Sequence, residues 1–134
     1  MFDAKKIMVV DDDCEIRSVA VMRLTIAGYS VSSATDGQDA LDKINLQKPD
    51  AIVMDLRMPR RDGLSALMSL KTRLDTQHIP VVMVSASVVD RRQALDAGAR
   101  FFIAKPYNAN DLLDAIEVSL TEAAQESHDL QLLV

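Results

Sequence analysis

Short apolar runs rich in Val and Ile alternate along this chain with longer amphipathic stretches, five times over. That rhythm predicts a parallel sheet whose strands are joined by helical crossovers. "KIMVV" reads as the first strand. A helix from about Cys14 to Ala27 follows, with Ile16, Ala20, Leu24 and Ala27 at helical spacing and Gly28 as its stop. "YSVSSA" is a more polar second strand that alternates as an edge strand does, and the helix after it carries Ala40, Leu41 and Ile44 before Pro49. "AIVM" is uniformly apolar, which predicts a third strand buried on both faces. The next helix is expected to present Leu64, Leu67, Met68 and Leu74. Pro80 opens a fourth strand, "VVMV"; a helix around Asp90 to Ala97 closes at Gly98, and "RFFIA" is the fifth strand. The last helix starts near Asn108 or Asn110, with Leu113, Ile116 and Leu120 on one face. The closing "EAAQESHDLQLLV" is either a frayed continuation of that helix or a mobile tail.

At 134 residues there is room for one domain with a single sizeable core. No apolar run approaches the roughly 20 residues that a membrane-spanning helix needs, so a soluble protein with no membrane partner is expected. "MFDAKKIMVV" is charged too early for a signal peptide. A lone cysteine, Cys14, allows no internal disulfide and suits a reducing cytoplasm. The formal net charge of −5 argues against a general nucleic-acid surface, so direct DNA binding is not expected.

Candidate chemistry gathers at the strand ends. In an open parallel α/β sheet, ligands bind beyond the carboxyl ends of the strands, where strand order reverses. Asp11 and Asp12 close the first strand, Asp55 the third, Ser85 the fourth and Lys105 the fifth, so all five should meet on one rim. Two ionised carboxylates about 4 Å apart repel by roughly 4 kcal/mol at an effective dielectric of about 20. A divalent cation offsets that repulsion, and Mg²⁺ favours carboxylates, waters and phosphate oxygens. Lys105 adds a second positive charge and Ser85 a hydrogen-bond donor, both suited to phosphoryl oxygens. Asp55 stands alone on the central strand and is the candidate nucleophile for an acyl phosphate; the adjacent Asp11 and Asp12 suit the cation.

Plainer roles compete for several of these residues. An Asp between a strand and a helix usually caps the helix. With Asp55, Ser85 and Lys105 in place, Asp12 is assigned to the cation and Asp13 to the cap. Gly63 is read as serving a backbone conformation that other residues would strain. The seven methionines, Met54 and Met83 among them, are read as core filler, and Cys14 as inert. His78 and His128 support no metal site. Phe101 and Phe102 are consecutive on a strand and should face opposite sides.

Taken in order, "VVDDD", "IVMDLRMPRRDG", "VVMVSA" and "ARFFIAKPY" resemble the receiver domain of two-component response regulators, of the single-domain, CheY-like kind. The likeness is collinear from about Lys5 to the last helix near Glu122. It implies a three-layer, doubly wound (βα)5 fold of the α/β class, flavodoxin-like, with a five-stranded parallel sheet in the order 2-1-3-4-5. The receiver domain would occupy residues 1–122, and residues 123–134 would be a C-terminal tail or helix extension. Asp55 would take a phosphoryl group from a sensor histidine kinase or a histidine phosphotransfer protein. Asp12, Asp55 and the main-chain carbonyl of Arg57 would hold Mg²⁺, with Asp11 acting mostly through a water. Ser85 and Lys105 would contact the phosphoryl oxygens, the Lys105-Pro106 bond would be cis, and Ser85 and Phe102 would form the switch. The face made by the fourth helix, fifth strand and fifth helix would serve a downstream protein target or a homodimer. Such a chain is a cytoplasmic signalling module without a DNA-binding output domain, and not an enzyme beyond its own phosphorylation and dephosphorylation.

Ser85 stands where Thr is frequent in that family, which keeps the hydroxyl. Phe102 stands where Tyr is also common, so its switch would work by ring packing. Arg57 and Ser87 occupy variable positions thought to tune phosphoryl lifetime. Two other readings remain at this stage. A haloacid-dehalogenase-type phosphatase would use Asp11-x-Asp13 on the first strand. A flavodoxin-like electron carrier would need a Ser/Thr/Gly-rich phosphate loop that these strand ends lack.

Overall fold

A computed structural model describes residues 3–133. Strands β1 (Lys6–Val10), β2 (Ser30–Ala34), β3 (Ala51–Asp55), β4 (Val81–Ser85) and β5 (Phe101–Ala104) alternate with five helices. These are α1 (Cys14–Ile26), α2 (Gly37–Leu46), α3 (Gly63–Thr72), α4 (Asp90–Asp96) and α5 (Ala109–Leu132). Every strand pairing is parallel and the order is β2-β1-β3-β4-β5, the doubly wound arrangement expected. The chain winds outward from β1 to β2, then crosses back to β3. Strand order therefore reverses between β1 and β3, which opens a crevice at their carboxyl ends.

The two-residue alternation of side chains divides the core into two layers. Ile7, Val9, Ala51, Val53, Val82 and Val84 pack with Ala20 and Leu24 of α1 and with Leu112, Ala115 and Ile116 of α5. Met8, Val10, Ile52, Met54, Val81 and Met83 point the other way, onto Ala40, Leu41 and Ile44 of α2, Ala66, Leu67 and Leu70 of α3, and Ala94 of α4. Helices cover both faces, so β3 and β4 are buried at every position. β2 lies at the edge and is only partly covered. Gly28 and Gly98 end α1 and α4 at φ of 102° and 109°, a left-handed conformation that a Cβ would disfavour.

Some expectations from periodicity fail here. Leu74 lies beyond the end of α3 and is 86% exposed, and Met68 is 55% exposed. The helix stops at Thr72, Arg73 adopts an extended conformation, and Leu70 is the last buried leucine of the helix. Ala27 is the exposed C-cap of α1 rather than part of its buried stripe. On α5 the buried residues are Leu112, Ala115, Ile116 and Ser119, with Leu113 and Leu120 flanking them half-buried. Met8, Met54 and Met83 are core, whereas Met22 joins Met68 on the surface and Met1 lies outside the described residues.

Gly63 serves space rather than conformation, since its φ is not positive. A Cβ there would run into the carbonyl oxygen of Asp55. Helix α5 continues past Glu122, where Arg100 pairs with Glu122 at 3.1 Å and Glu126 at 2.8 Å. Among the described residues no helix is long and apolar enough to cross a membrane.

Candidate functional site

The parallel ladder carries the polar side chains to one height. Asp11 N–H donates to Ala34 O at 3.2 Å, Leu56 N–H to Val84 O at 2.9 Å, and Lys105 N–H to Ser85 O at 2.8 Å. Neighbouring strands thus stay in register until their last residues. Lys105 Nζ lies 3.0 Å from Asp11 Oδ2 and 3.1 Å from Asp55 Oδ2. Carboxylate oxygens of Asp11, Asp12 and Asp55 all lie within 4.8 Å of one another. Asp11 and Asp55 are buried and Asp12 is open to solvent.

The helix that follows β1 separates the roles of the three consecutive acids. Asp13 caps α1, its carboxylate accepting from the N–H groups of Glu15 at 2.9 Å and Ile16 at 3.1 Å. Asp11 Oδ1 accepts from Asp13 N–H at 2.9 Å, and the Asp11 carbonyl accepts from the Arg17 guanidinium at 2.7 Å. Asp11 is therefore fixed from three sides. With Asp13 bound to the helix, the Asp11-x-Asp13 pair required by the phosphatase reading is not available.

Burial pushes the Asp55 carboxyl above its ordinary range; the Lys105 ammonium opposes that shift, and the Asp11 charge adds to it. Burial also pulls Lys105 down, but its hydrogen bonds and charge contacts with Asp11 and Asp55 prevail and leave it raised. Three carboxylates against one ammonium leave excess negative charge in a notch whose clustered donors are all oxygens. That set fits a hard divalent cation such as Mg²⁺. Among the described residues this trio is the one grouping of three or more potential metal ligands, and neither His78 nor His128 takes part.

Ser85 is fully buried at the end of β4. Its hydroxyl donates to Asp90 Oδ2 at 2.6 Å and accepts from Ser87 N–H at 3.2 Å. Asp90, the first residue of α4, is also gripped by the Arg57 guanidinium, Nε on Oδ2 and Nη2 on Oδ1, each at 2.9 Å. Those bonds hold the Asp90 carboxyl below the usual range, with burial opposing and Ser85 assisting. Sequence reasoning saw Asp90 only as a helix start. A signal was present: Val89, the N-cap just before α4, offers no capping side chain, so the nearby acid was free for other partners.

The loop after Asp55 is fastened on its other side. Arg60 pairs with the buried Asp36 at 2.7 Å, and Gly37 N–H donates to Arg61 O at 2.9 Å. Asp36 in turn caps α2 through Asp39 N–H at 2.8 Å. Beyond β5, the Lys105-Pro106 bond is cis, as the resemblance implied. Phe101 and Phe102 are half-buried on opposite faces: Phe102 packs on the α2–α3–α4 side and Phe101 on the α1–α5 side.

The sequence model of the response regulator receiver domain matches residues 7–117. This chain belongs to the response regulator receiver domain family. Similar receiver proteins include the response regulator MprA of Mycolicibacterium vanbaalenii, 43% identical over 108 residues, covering 81% of this chain and 47% of that protein. The chain spans about half the length of the curated relatives it matches. Among solved structures, the CheY-like receiver domain protein of Methanospirillum hungatei superposes with a TM-score of 0.86 at 29% identity, covering 92% of this chain and 99% of that one. NtrX of Brucella abortus gives a TM-score of 0.87 at 31% identity, with 97% of this chain on 30% of that protein. The strand order and helix placement are those of a receiver.

Proposed function

We propose that this receiver is a phosphoacceptor switch in which Asp55 takes a phosphoryl group from a phosphohistidine on a sensor histidine kinase or histidine phosphotransfer protein. One observation carries the reading: the Asp55 carboxylate sits 3.1 Å from the Lys105 ammonium, with the oxygens of Asp11 and Asp12 in reach of the same point. An Asp55 oxygen attacks phosphorus, the phosphorus–nitrogen bond breaks, and the imidazole leaves with a proton from solvent. Lys105 faces the charge on the transferring oxygens, where a fixed cation has most effect in a partly buried notch. Asp11, Asp12, Asp55 and the main-chain carbonyl of Arg57 would hold Mg²⁺. The bound ion would neutralise charge on the phosphoryl oxygens.

Once Asp55 is modified, the Ser85 hydroxyl turns to a phosphoryl oxygen and Phe102 follows inward, biasing the face of α4, β5 and α5 toward a downstream protein or a second copy. Moving such an equilibrium from 1:99 to 99:1 takes about 5.5 kcal/mol of differential stabilisation, so a modification supplying less leaves some basal activity. Residues 1–122 are the receiver unit in this reading, with 123–134 as its C-terminal tail or helix extension, and the protein works in the cytoplasm. It processes no substrate other than its own phosphoryl group. Incubation with Mg²⁺ and a small phosphodonor such as phosphoramidate should add one phosphoryl group to the intact mass. No gain, or an undiminished gain in Asp55→Ala, would overturn the reading.

A further inference from the structure

We propose that Asp90 is a positioning residue that holds the switch off by competing with the phosphoryl group for the hydroxyl of Ser85. Its role presupposes that Asp55 is the phosphoacceptor. A serine carries one O–H and donates it to one acceptor at a time. Here that proton goes to Asp90 at 2.6 Å, within the range of charge-assisted hydrogen bonds to a carboxylate. Ser85 therefore serves a phosphoryl oxygen only after leaving Asp90.

The rest of the cluster explains why Asp90 stays in place. Its side chain is buried, the whole residue 3% exposed, and both carboxylate oxygens are engaged by the Arg57 fork. Arg57 lies two residues after Asp55, on the loop that would move with the phosphoryl group. One carboxylate at the start of α4 thus joins the end of β4, the loop after β3, and α4 itself. Helix α4 has no capping side chain on Val89, so this carboxylate is the side-chain tie between its first turn and the rim. When Ser85 departs, that tie loosens, and α4 gains freedom to shift.

Removing Asp90 strands no buried charge, because the Arg57 side chain is 65% exposed and turns to water. It does strand the buried Ser85 hydroxyl, whose best remaining acceptor is the phosphoryl group. Beryllium trifluoride with Mg²⁺, a phosphoryl analogue, reports that preference directly by titration. The concentration for half-saturation should fall about tenfold in Asp90→Ala, since Ser85 no longer gives up a charge-assisted hydrogen bond before it turns to the analogue. Asp90→Asn keeps the volume and weakens the acceptor, so it should fall between wild type and Asp90→Ala; it decides the question if Asp90→Ala does not fold.

The gain must depend on Ser85. In a Ser85→Ala background, adding Asp90→Ala should leave half-saturation unchanged, whereas a merely structural role would shift both backgrounds alike. Equal gains in the two backgrounds, or no gain in wild type, overturn the role of Asp90. Wild-type protein that neither binds beryllium trifluoride nor gains phosphoryl mass overturns the phosphoacceptor reading instead, and this proposal with it.

Discussion

Asp55 and the arginine-paired acids respond to pH in opposite senses. Burial raises the Asp55 carboxyl, so between its ordinary and its raised value the folded chain holds a proton there that the unfolded chain has released. Stability from this group falls as pH rises from about 3.9, the ordinary carboxylate value, through the raised one. Asp36 is lowered by its hydrogen bond to Arg60, and Asp90 by its bonds to Arg57. Their contribution is complete above the ordinary value and is lost as pH falls through the depressed ones. Asp55→Asn should therefore melt at a higher temperature than wild type at pH 7 without Mg²⁺, and the difference should close as pH approaches 4. Parallel thermal melts across a pH series check both the sign and the closing. The strand-end placement of Asp11, Asp12, Asp55, Ser85 and Lys105 was legible in the sequence, because a strand end is a fixed address in a parallel sheet. The bond from Asp90 to Arg57 was not, because it joins loop-side residues 33 positions apart that no periodicity links.

Among the elements, β3 and β4 were plain from their unbroken apolar runs, which only double burial explains. Helix α3 was harder. Its leucines continue past the true end, and where a helix stops depends on the turn chemistry after Thr72 more than on its stripe. The start of α3 matters most to the site. Gly63 N–H donates to Leu56 O at 2.8 Å, and the missing Cβ leaves room for the backbone of Asp55 and for the Met83 methyl, which a Cβ would meet at 2.9 Å. Gly63→Ala should lower stability by about 1–3 kcal/mol, as overpacking does. It should also weaken Mg²⁺ binding, because the residue displaced is Asp55. Denaturant unfolding and a Mg²⁺ titration on the same variant read the two effects separately.

Across the whole molecule, the acid notch is assembled only when β1, β3 and β5 are aligned in one sheet, with β4 between the last two, so the unfolded chain offers no comparable site. A ligand that binds the folded state alone stabilises it by about 2.7 kcal/mol at a hundredfold excess over Kd. Adding Mg²⁺ should raise the melting temperature, EDTA should reverse the rise, and Asp12→Ala should abolish most of it; scanning calorimetry is sufficient.

Helix α5 leaves the rim beside Lys105 and runs back alongside β5 until Arg100, at the foot of that strand, clasps Glu122 and Glu126. Its 24 residues make a rod of about 36 Å. The chemistry and the tip of the rod sit at opposite poles, and the arginine rivets the rod near its outer third. Losing Arg100 should therefore loosen the outer end of the rod, while its acid end stays packed through Leu112, Ala115 and Ile116.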